Sequence, residues 1–136
     1  MSKPIPTLQK YMTTTPHTIG KDQKLAAAYK IMRDNHIRHL PVLDGGALVG
    51  ILSDRDVHFI ESLQGVDPDK VSVEDAMTAA PYTVGPNTGL DEVVSTMAEH
   101  RYGSAVVMQN EKVVGIFTAV DALGAFAELL HTRLAK

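Results

Sequence analysis

Displaced along itself by 65 residues, the sequence lines up without a gap, Thr7–Phe59 lying over Ser72–Gly124. Identical pairs are Met12/Met77, Thr13/Thr78, Pro16/Pro81, Thr18/Thr83, Gly20/Gly85, Leu25/Leu90, Met32/Met97, Val42/Val107, Val49/Val114, Gly50/Gly115, Ile51/Ile116 and Asp56/Asp121. These are 12 identities over the 49 positions from Tyr11 to Phe59, where average residue usage gives roughly 3 by chance. Other pairs keep their chemical class, such as Ile19/Val84, Leu52/Phe117 and Ser53/Thr118. A duplicated supersecondary unit is the economical explanation, and it restricts the chain to two copies of one small fold.

Each copy has the same internal grammar. A short helix opens at Thr7 or Ser72, where Ser72-Val73-Glu74-Asp75 has capping-box spacing, and Pro16 or Pro81 ends that turn. After an extended Thr-Ile/Val-Gly stretch come Leu25, Ala28, Tyr29 and Met32, or Leu90, Val93, Val94 and Met97, each set on one face of a helix. Two short apolar runs then read as strands. They are His39–Asp44 and Leu48–Ser53 about Asp44-Gly45-Gly46, and Ala105–Gln109 and Val113–Thr118 about Asn110-Glu111-Lys112. A last helix follows, over Asp54–Leu63 or Ala119–Leu134. The unit is β-α-β-β-α, with a three-stranded sheet whose apolar face one copy cannot cover. The expectation is an α+β fold, two such motifs packed sheet to sheet with pseudo-twofold symmetry. The first motif with its lead-in takes 1–63, a polar linker 64–71, and the second motif with its C-terminal helix 72–136.

Composition narrows the function. Apolar residues are 44% and charged residues 21%, ordinary for a globular domain; aromatics are only 5% with no Trp, so aliphatic residues and Met must fill the interior. A net charge of −3 disfavours nucleic acid, whose binders carry a basic face. Absence of cysteine excludes disulfides and thiolate chemistry. No apolar run reaches the roughly 20 residues of a membrane span, and Met1-Ser2-Lys3-Pro4-Ile5-Pro6 lacks the apolar core of a secretory signal. A cytoplasmic protein is expected, bound to neither membrane nor nucleic acid.

The most informative stretch is the turn from last strand to last helix, Gly50-Ile51-Leu52-Ser53-Asp54-Arg55-Asp56 and Gly115-Ile116-Phe117-Thr118-Ala119-Val120-Asp121. A Ser/Thr three residues before an acid is a capping-box variant on its own terms. The same residues also suit a nucleoside. The Asp offers acceptors to a ribose diol, the helix start favours an anion, and the hydroxyl can serve the sugar-phosphate side. Gly50 or Gly115 allows close approach of a ligand to the backbone. An apolar slot with backbone hydrogen bonds for adenine is expected from Thr18-Ile19-Gly20 with Leu40-Pro41-Val42, and from Thr83-Val84-Gly85 with Ala105-Val106-Val107.

The duplicated unit, with His36-Ile37-Arg38-His39-Leu40-Pro41-Val42 ahead of Leu48-Val49-Gly50-Ile51-Leu52-Ser53-Asp54-Arg55-Asp56, resembles the cystathionine-beta-synthase-type (CBS) domain family over about Thr7 to Phe126. The resemblance implies a stand-alone tandem pair, or Bateman module, that binds AMP, ADP, ATP, S-adenosylmethionine or a related ligand in a cleft between its motifs. It also implies a flat, disk-like homodimer that acts on a separate regulated protein. Carried over by position, Ser53 with Asp56 and Thr118 with Asp121 are the ribose contacts. Thr18, Ile19, Leu40, Pro41, Val42, Thr83, Val84, Ala105 and Val107 line the adenine, and Arg38, His39 and Arg55 are phosphate-capable donors. The second half departs from this pattern: Gly103-Ser104 replaces Arg38-His39, Val106 replaces Pro41 and Val120 replaces Arg55, leaving Arg101 and Lys112 as its donors. The implied function is a non-catalytic sensor of AMP, ADP or ATP that needs no cofactor.

Other readings stand beside it. His36 and His39 straddle a helix-to-strand boundary without a third ligand, so no metal site is expected. No nucleophile–base pair or Gly-rich phosphate loop occurs, so no enzyme is expected. A pair that keeps its fold but has lost its ligand, serving as a dimerisation or interaction module, fits the same sequence; so does an S-adenosylmethionine binder. Leu123, Phe126, Ala127, Leu130 and Leu134 form an apolar stripe that suits the module's own core or a dimer seam.

Overall fold

The computed structural model describes residues 4–134, with side chains described through Thr132. Leu134 of the apolar stripe and Met1-Ser2-Lys3 of the N-terminal stretch therefore lie outside the described side chains or residues. A 3₁₀ turn at Leu8–Lys10 leads to β1 (Thr13–Thr14), β2 (Ile19–Gly20), α1 (Leu25–Asn35), β3 (His39–Asp44), β4 (Ala47–Ser53) and α2 (Asp54–Glu61). A second 3₁₀ turn, Pro68–Lys70, precedes α3 (Val73–Ala76), β5 (Thr78–Ala79), β6 (Thr83–Val84), α4 (Leu90–His100), β7 (Ser104–Gln109), β8 (Lys112–Thr118) and α5 (Ala119–Leu129). Residues Leu130–Leu134 widen into a π-helical turn, so the last α-helix is shorter than its sequence pattern suggests. Among the described residues no helix is long and apolar enough to cross a membrane.

Each sheet has four strands where the repeat suggests three. The orders are β2-β3-β4-β5 and β1-β8-β7-β6. The fourth strand comes from the lead-in of the other repeat: Thr13–Thr14 pairs antiparallel with Ile116 and Gly115, and Thr78–Ala79 with Ile51 and Gly50. Compact units therefore divide differently from the sequence repeats. One is Pro16–Pro81, which contains the 64–71 segment; the other joins the residues up to Thr15 with those from Tyr82 onward. Backbone hydrogen bonds hold both lead-ins, Leu8 N to Thr88 O and Leu25 N to Val71 O, each at 2.9 Å.

A close approach at glycine fixes this exchange. A Cβ on Gly50 would collide with the Met77 sulfur and lie 2.9 Å from the Thr78 carbonyl oxygen. A Cβ on Gly115 would meet the Met12 sulfur at 2.7 Å and the Thr13 carbonyl at 3.0 Å. The missing side chain at these glycines thus makes room for the crossing lead-in strand, which replaces the expectation that it makes room for a ligand.

The helices bury the faces their spacing predicts. In the unit of Pro16–Pro81, Leu25, Ala28 and Met32 of α1 pack with Ile19, Leu40, Val42, Leu52, Val57 and Val73, and Tyr29 is half-buried against them. In the other unit Leu90, Val93 and Met97 of α4 pack with Leu8, Ala105, Val107, Phe117 and Ala125. Each large aliphatic side chain buried in this way contributes about 1.5–3 kcal/mol. The hairpin loops are two residues long, and both central residues are left-handed: Gly45 (φ 57°) and Gly46 (φ 91°), then Asn110 (φ 54°) and Glu111 (φ 64°). That geometry matches the twist of the strands, yet Glu111 has a Cβ where glycine is preferred.

Candidate functional site

The two strand-to-helix turns are complete capping boxes. In the first, the backbone N–H of Ser53 donates to Asp56 Oδ2 at 2.9 Å, and the Ser53 hydroxyl donates to the same oxygen at 3.0 Å. The backbone N–H of Asp56 in turn donates to Ser53 Oγ at 3.2 Å. The second box repeats this with Thr118 and Asp121 at 2.9, 3.2 and 3.4 Å. The Ser72 turn is weaker than its spacing suggests. Its hydroxyl donates to Asp75 at 3.0 Å but accepts no capping bond, and α3 lasts one turn.

These boxes leave a defined remainder. One carboxylate oxygen of each Asp is taken by the cap; the other, Oδ1, has no hydrogen-bond partner among the described residues. Both carboxylates are half-buried and held in a fixed rotamer by the cap. Each hydroxyl donates its proton to the carboxylate, so the Ser or Thr has acceptor capacity to offer rather than a proton. A vicinal diol, with two donors, matches one fixed carboxylate oxygen with two lone pairs.

Register then sorts the remaining candidates by sheet face. Ile19 pairs with Val42, and Leu40 with Leu52; all four side chains belong to the core under α1 and α2. Val84, Ala105 and Val107 belong likewise to the other core or pack on it. Ile19, Leu40, Val42, Val84, Ala105 and Val107 can therefore offer a ligand backbone groups only. The opposite face, by strand alternation, carries His39, Pro41, Ile51 and Ser53 in one unit, with Ser104, Val106, Ile116 and Thr118 in the other. Thr18 immediately precedes β2, and the exposed Thr83 opens β6 beside Val106. Val106 donates its N–H to the Tyr82 carbonyl at 2.9 Å; Pro41, at the matched position, has no N–H to give.

His39 lies directly opposite Ser53 in the β3–β4 register. Burial pulls its imidazole below the usual histidine range; the carboxylates of Asp54 and Asp56 oppose that shift, and the Arg38 guanidinium adds to it. Asp54 N donates to the Arg38 carbonyl at 2.9 Å, as Ala119 N does to Gly103 at 3.1 Å, so the same backbone bond pins both turns. Arg55 is exposed on the first turn of α2, and neither it nor Arg38 forms an ion pair among the described residues. His36 takes the left-handed position that closes α1, with Arg101 its counterpart on α4. No group of three or more metal-capable side chains occurs among the described residues. The apolar groove of about 640 Å³ lined by Ile5, Val94, Tyr102, Leu123 and Phe126 was not foreseen; the α5 stripe was its one sequence signal.

A duplicated sheet-and-helix unit with an acid-bearing box at each strand-to-helix turn defines a tandem module of two CBS-type motifs. The chain belongs to the CBS-domain family, whose model matches residues 1–60 and 73–128. It is 31% identical over 134 residues to inosine-5′-monophosphate dehydrogenase of Korarchaeum cryptofilum, covering 98% of this chain but only 27% of that enzyme. The chain thus spans about a quarter of that relative's length. Among solved structures, the AcuB protein of Vibrio cholerae is similar with a TM-score of 0.84 at 27% identity, covering 98% of both chains. The CBS domain pair of protein MJ0100, solved with 5′-methylthioadenosine and S-adenosyl-L-methionine, gives 0.83 at 26%, covering 92% of this chain and 98% of the other.

Proposed function

We propose that this chain is a non-catalytic regulatory module, cytoplasmic and homodimeric, that binds an adenosyl ligand of the AMP, ADP or ATP class and transmits its presence to another protein. The observation that carries this reading is the unpartnered Oδ1 on each capped Asp, at the same place in both motifs. It supplies a preorganised acceptor for a ribose diol at little entropic cost. Ser53 with Asp56 and Thr118 with Asp121 hold the sugar. Thr18, Ile19, Leu40, Pro41, Val42, Thr83, Val84, Ala105 and Val107 form the adenine side, largely through backbone groups, and Arg38, His39 and Arg55 face a phosphate. The ligands named for MJ0100, both adenosyl compounds, support the class. Ligand energy reaches a partner only as far as it differs between two arrangements of the module. Self-association is supported by the exposed Val120, Leu123 and Phe126 of α5.

The test is calorimetric titration of AMP, ADP, ATP and S-adenosylmethionine into the folded chain. Binding of at least one, lost on substitution of Asp56 or Asp121, is the expected result. No heat and no thermal shift with any of the four would overturn it. The second reading, a ligand-free interaction module, draws on one observation: both boxes already satisfy the helix start without a ligand.

A further inference from the structure

The two boxes share backbone geometry and differ in the side chains set around them. Three positions flank each box: the residue whose carbonyl pins the helix start, the next residue, register-paired with the box hydroxyl, and the second residue of the helix. In the first motif these are Arg38, His39 and Arg55; in the second they are Gly103, Ser104 and Val120. The first set offers two guanidiniums without ion-pair partners among the described residues, and an imidazole on the same sheet face as Ser53. The second set offers no cation at all, and Val120 is 68% exposed.

Lys112 and Arg101 of the second motif do not replace them. Lys112 sits at the hairpin end of β8, six residues from Thr118, so about 20 Å away along the strand. Arg101 closes the C-terminus of α4. We infer that the two boxes take different ligands: Ser53–Asp56 takes an adenosine bearing phosphate, and Thr118–Asp121 an adenosine whose 5′ substituent carries none. This inference rests on the proposed adenosyl reading and sharpens it into two chemical classes. Phosphate is recognised by the guanidinium fork and by a neighbouring donor; an apolar first turn without cations leaves a phosphate's desolvation uncompensated.

The experiment titrates AMP and 5′-methylthioadenosine separately into the full chain and its variants, with a melting curve for each to establish folding. AMP affinity is expected to fall about tenfold or more in His39→Ser/Arg55→Val, which installs the second motif's residues. It recovers most of its strength in Arg55→Lys on the wild-type background, where charge is kept, and it weakens with added salt. Methylthioadenosine binding is expected to stay unchanged in the double variant and to be lost in Asp121→Asn. The single variants His39→Ser and Arg55→Val serve should the double one not fold. AMP binding that survives loss of the His39 imidazole and the Arg55 guanidinium together, or that is lost in Asp121→Asn and kept in Asp56→Asn, overturns the inference while leaving an adenosyl module in place. A folded wild type that binds neither compound overturns both readings together.

Discussion

Replacing Asp56 by Asn separates the cap from the ligand, because the two uses fall on different oxygens of one carboxylate. The amide oxygen can take the place of Oδ2 and keep the bonds from the Ser53 N–H and hydroxyl, now 2.9 and 3.0 Å. The amide NH₂ then occupies the place of Oδ1 and presents donors where a ribose diol needs an acceptor. The stability cost is the lost negative charge in the first turn of α2, about 0.3–1 kcal/mol. The binding cost is at least one hydrogen bond to a charged group, about 1.5–3 kcal/mol, or about 10- to 150-fold in Kd. Asp56→Ala, by contrast, also removes the carboxylate half of the box, leaving the Ser53 N–H without its acceptor while Ser53 Oγ still takes the backbone N–H of residue 56, and so adds about 0.5–1.5 kcal/mol of destabilisation. Urea unfolding read by circular dichroism gives the first quantity and calorimetric titration of AMP the second. If Asp56→Asn binds within about threefold of wild type, or unfolds as readily as Asp56→Ala, the division of labour between the two oxygens is refuted.

Three further outcomes follow from the geometry. Gly50→Ala should destabilise the chain by about 1–3 kcal/mol, because its methyl must displace Met77 and crowd the Thr78 carbonyl at 2.9 Å; Gly20→Ala, whose nearest neighbour would be Gln23 Cγ at 3.7 Å, should stay within about 0.5 kcal/mol of wild type in the same urea titration. Glu111→Gly should stabilise it by about 1 kcal/mol, seen as a raised melting temperature, since φ is 64° there; an unchanged or lowered value would count against strain at that turn. His39 has a folded-state value below its unfolded one of about 6.5, so the unfolded chain binds the extra proton between the two. Its contribution is full above the unfolded value and is lost as pH falls through 6.5 toward the folded one. His39→Ser should flatten that acid-side loss in unfolding free energies measured from pH 5 to 8, and an identical slope in both proteins would show that His39 is not its source.

The elements were legible because their periods are strong. Leu25, Ala28 and Met32 mark a helix face, and short apolar runs on either side of a two-residue turn mark β3 and β4. The exchange of lead-in strands was not legible, for a reason of symmetry. Met12 and Met77 are identical, as are Gly50 and Gly115, so pairing within a repeat and pairing across repeats bring together the same residue types. Only the backbone path decides between them. The boxes were legible as Ser-x-x-Asp and Thr-x-x-Asp, but spacing alone does not say which carboxylate oxygen the cap occupies. For the adenine-side residues, strand alternation assigns Leu40 and Val42 to the core and His39 and Pro41 to the opposite face. A reading that took the whole run as one lining passed over that division.

The crossing of the lead-ins also orders the events of synthesis. Residues 16–81 are contiguous, so that unit holds all four of its strands once β5 has left the ribosome. Thr13 and Thr14 emerge first but find their partners, Ile116 and Gly115, only about 100 residues later. At about 5–20 residues per second that is a wait of roughly 5–20 seconds. During it β1 lacks its partner strand and stays open to solvent, chaperone or neighbour. The shortness of β1, two residues flanked by the left-handed Thr15, limits what such an edge can recruit. A nascent chain of this topology therefore closes its middle before its beginning.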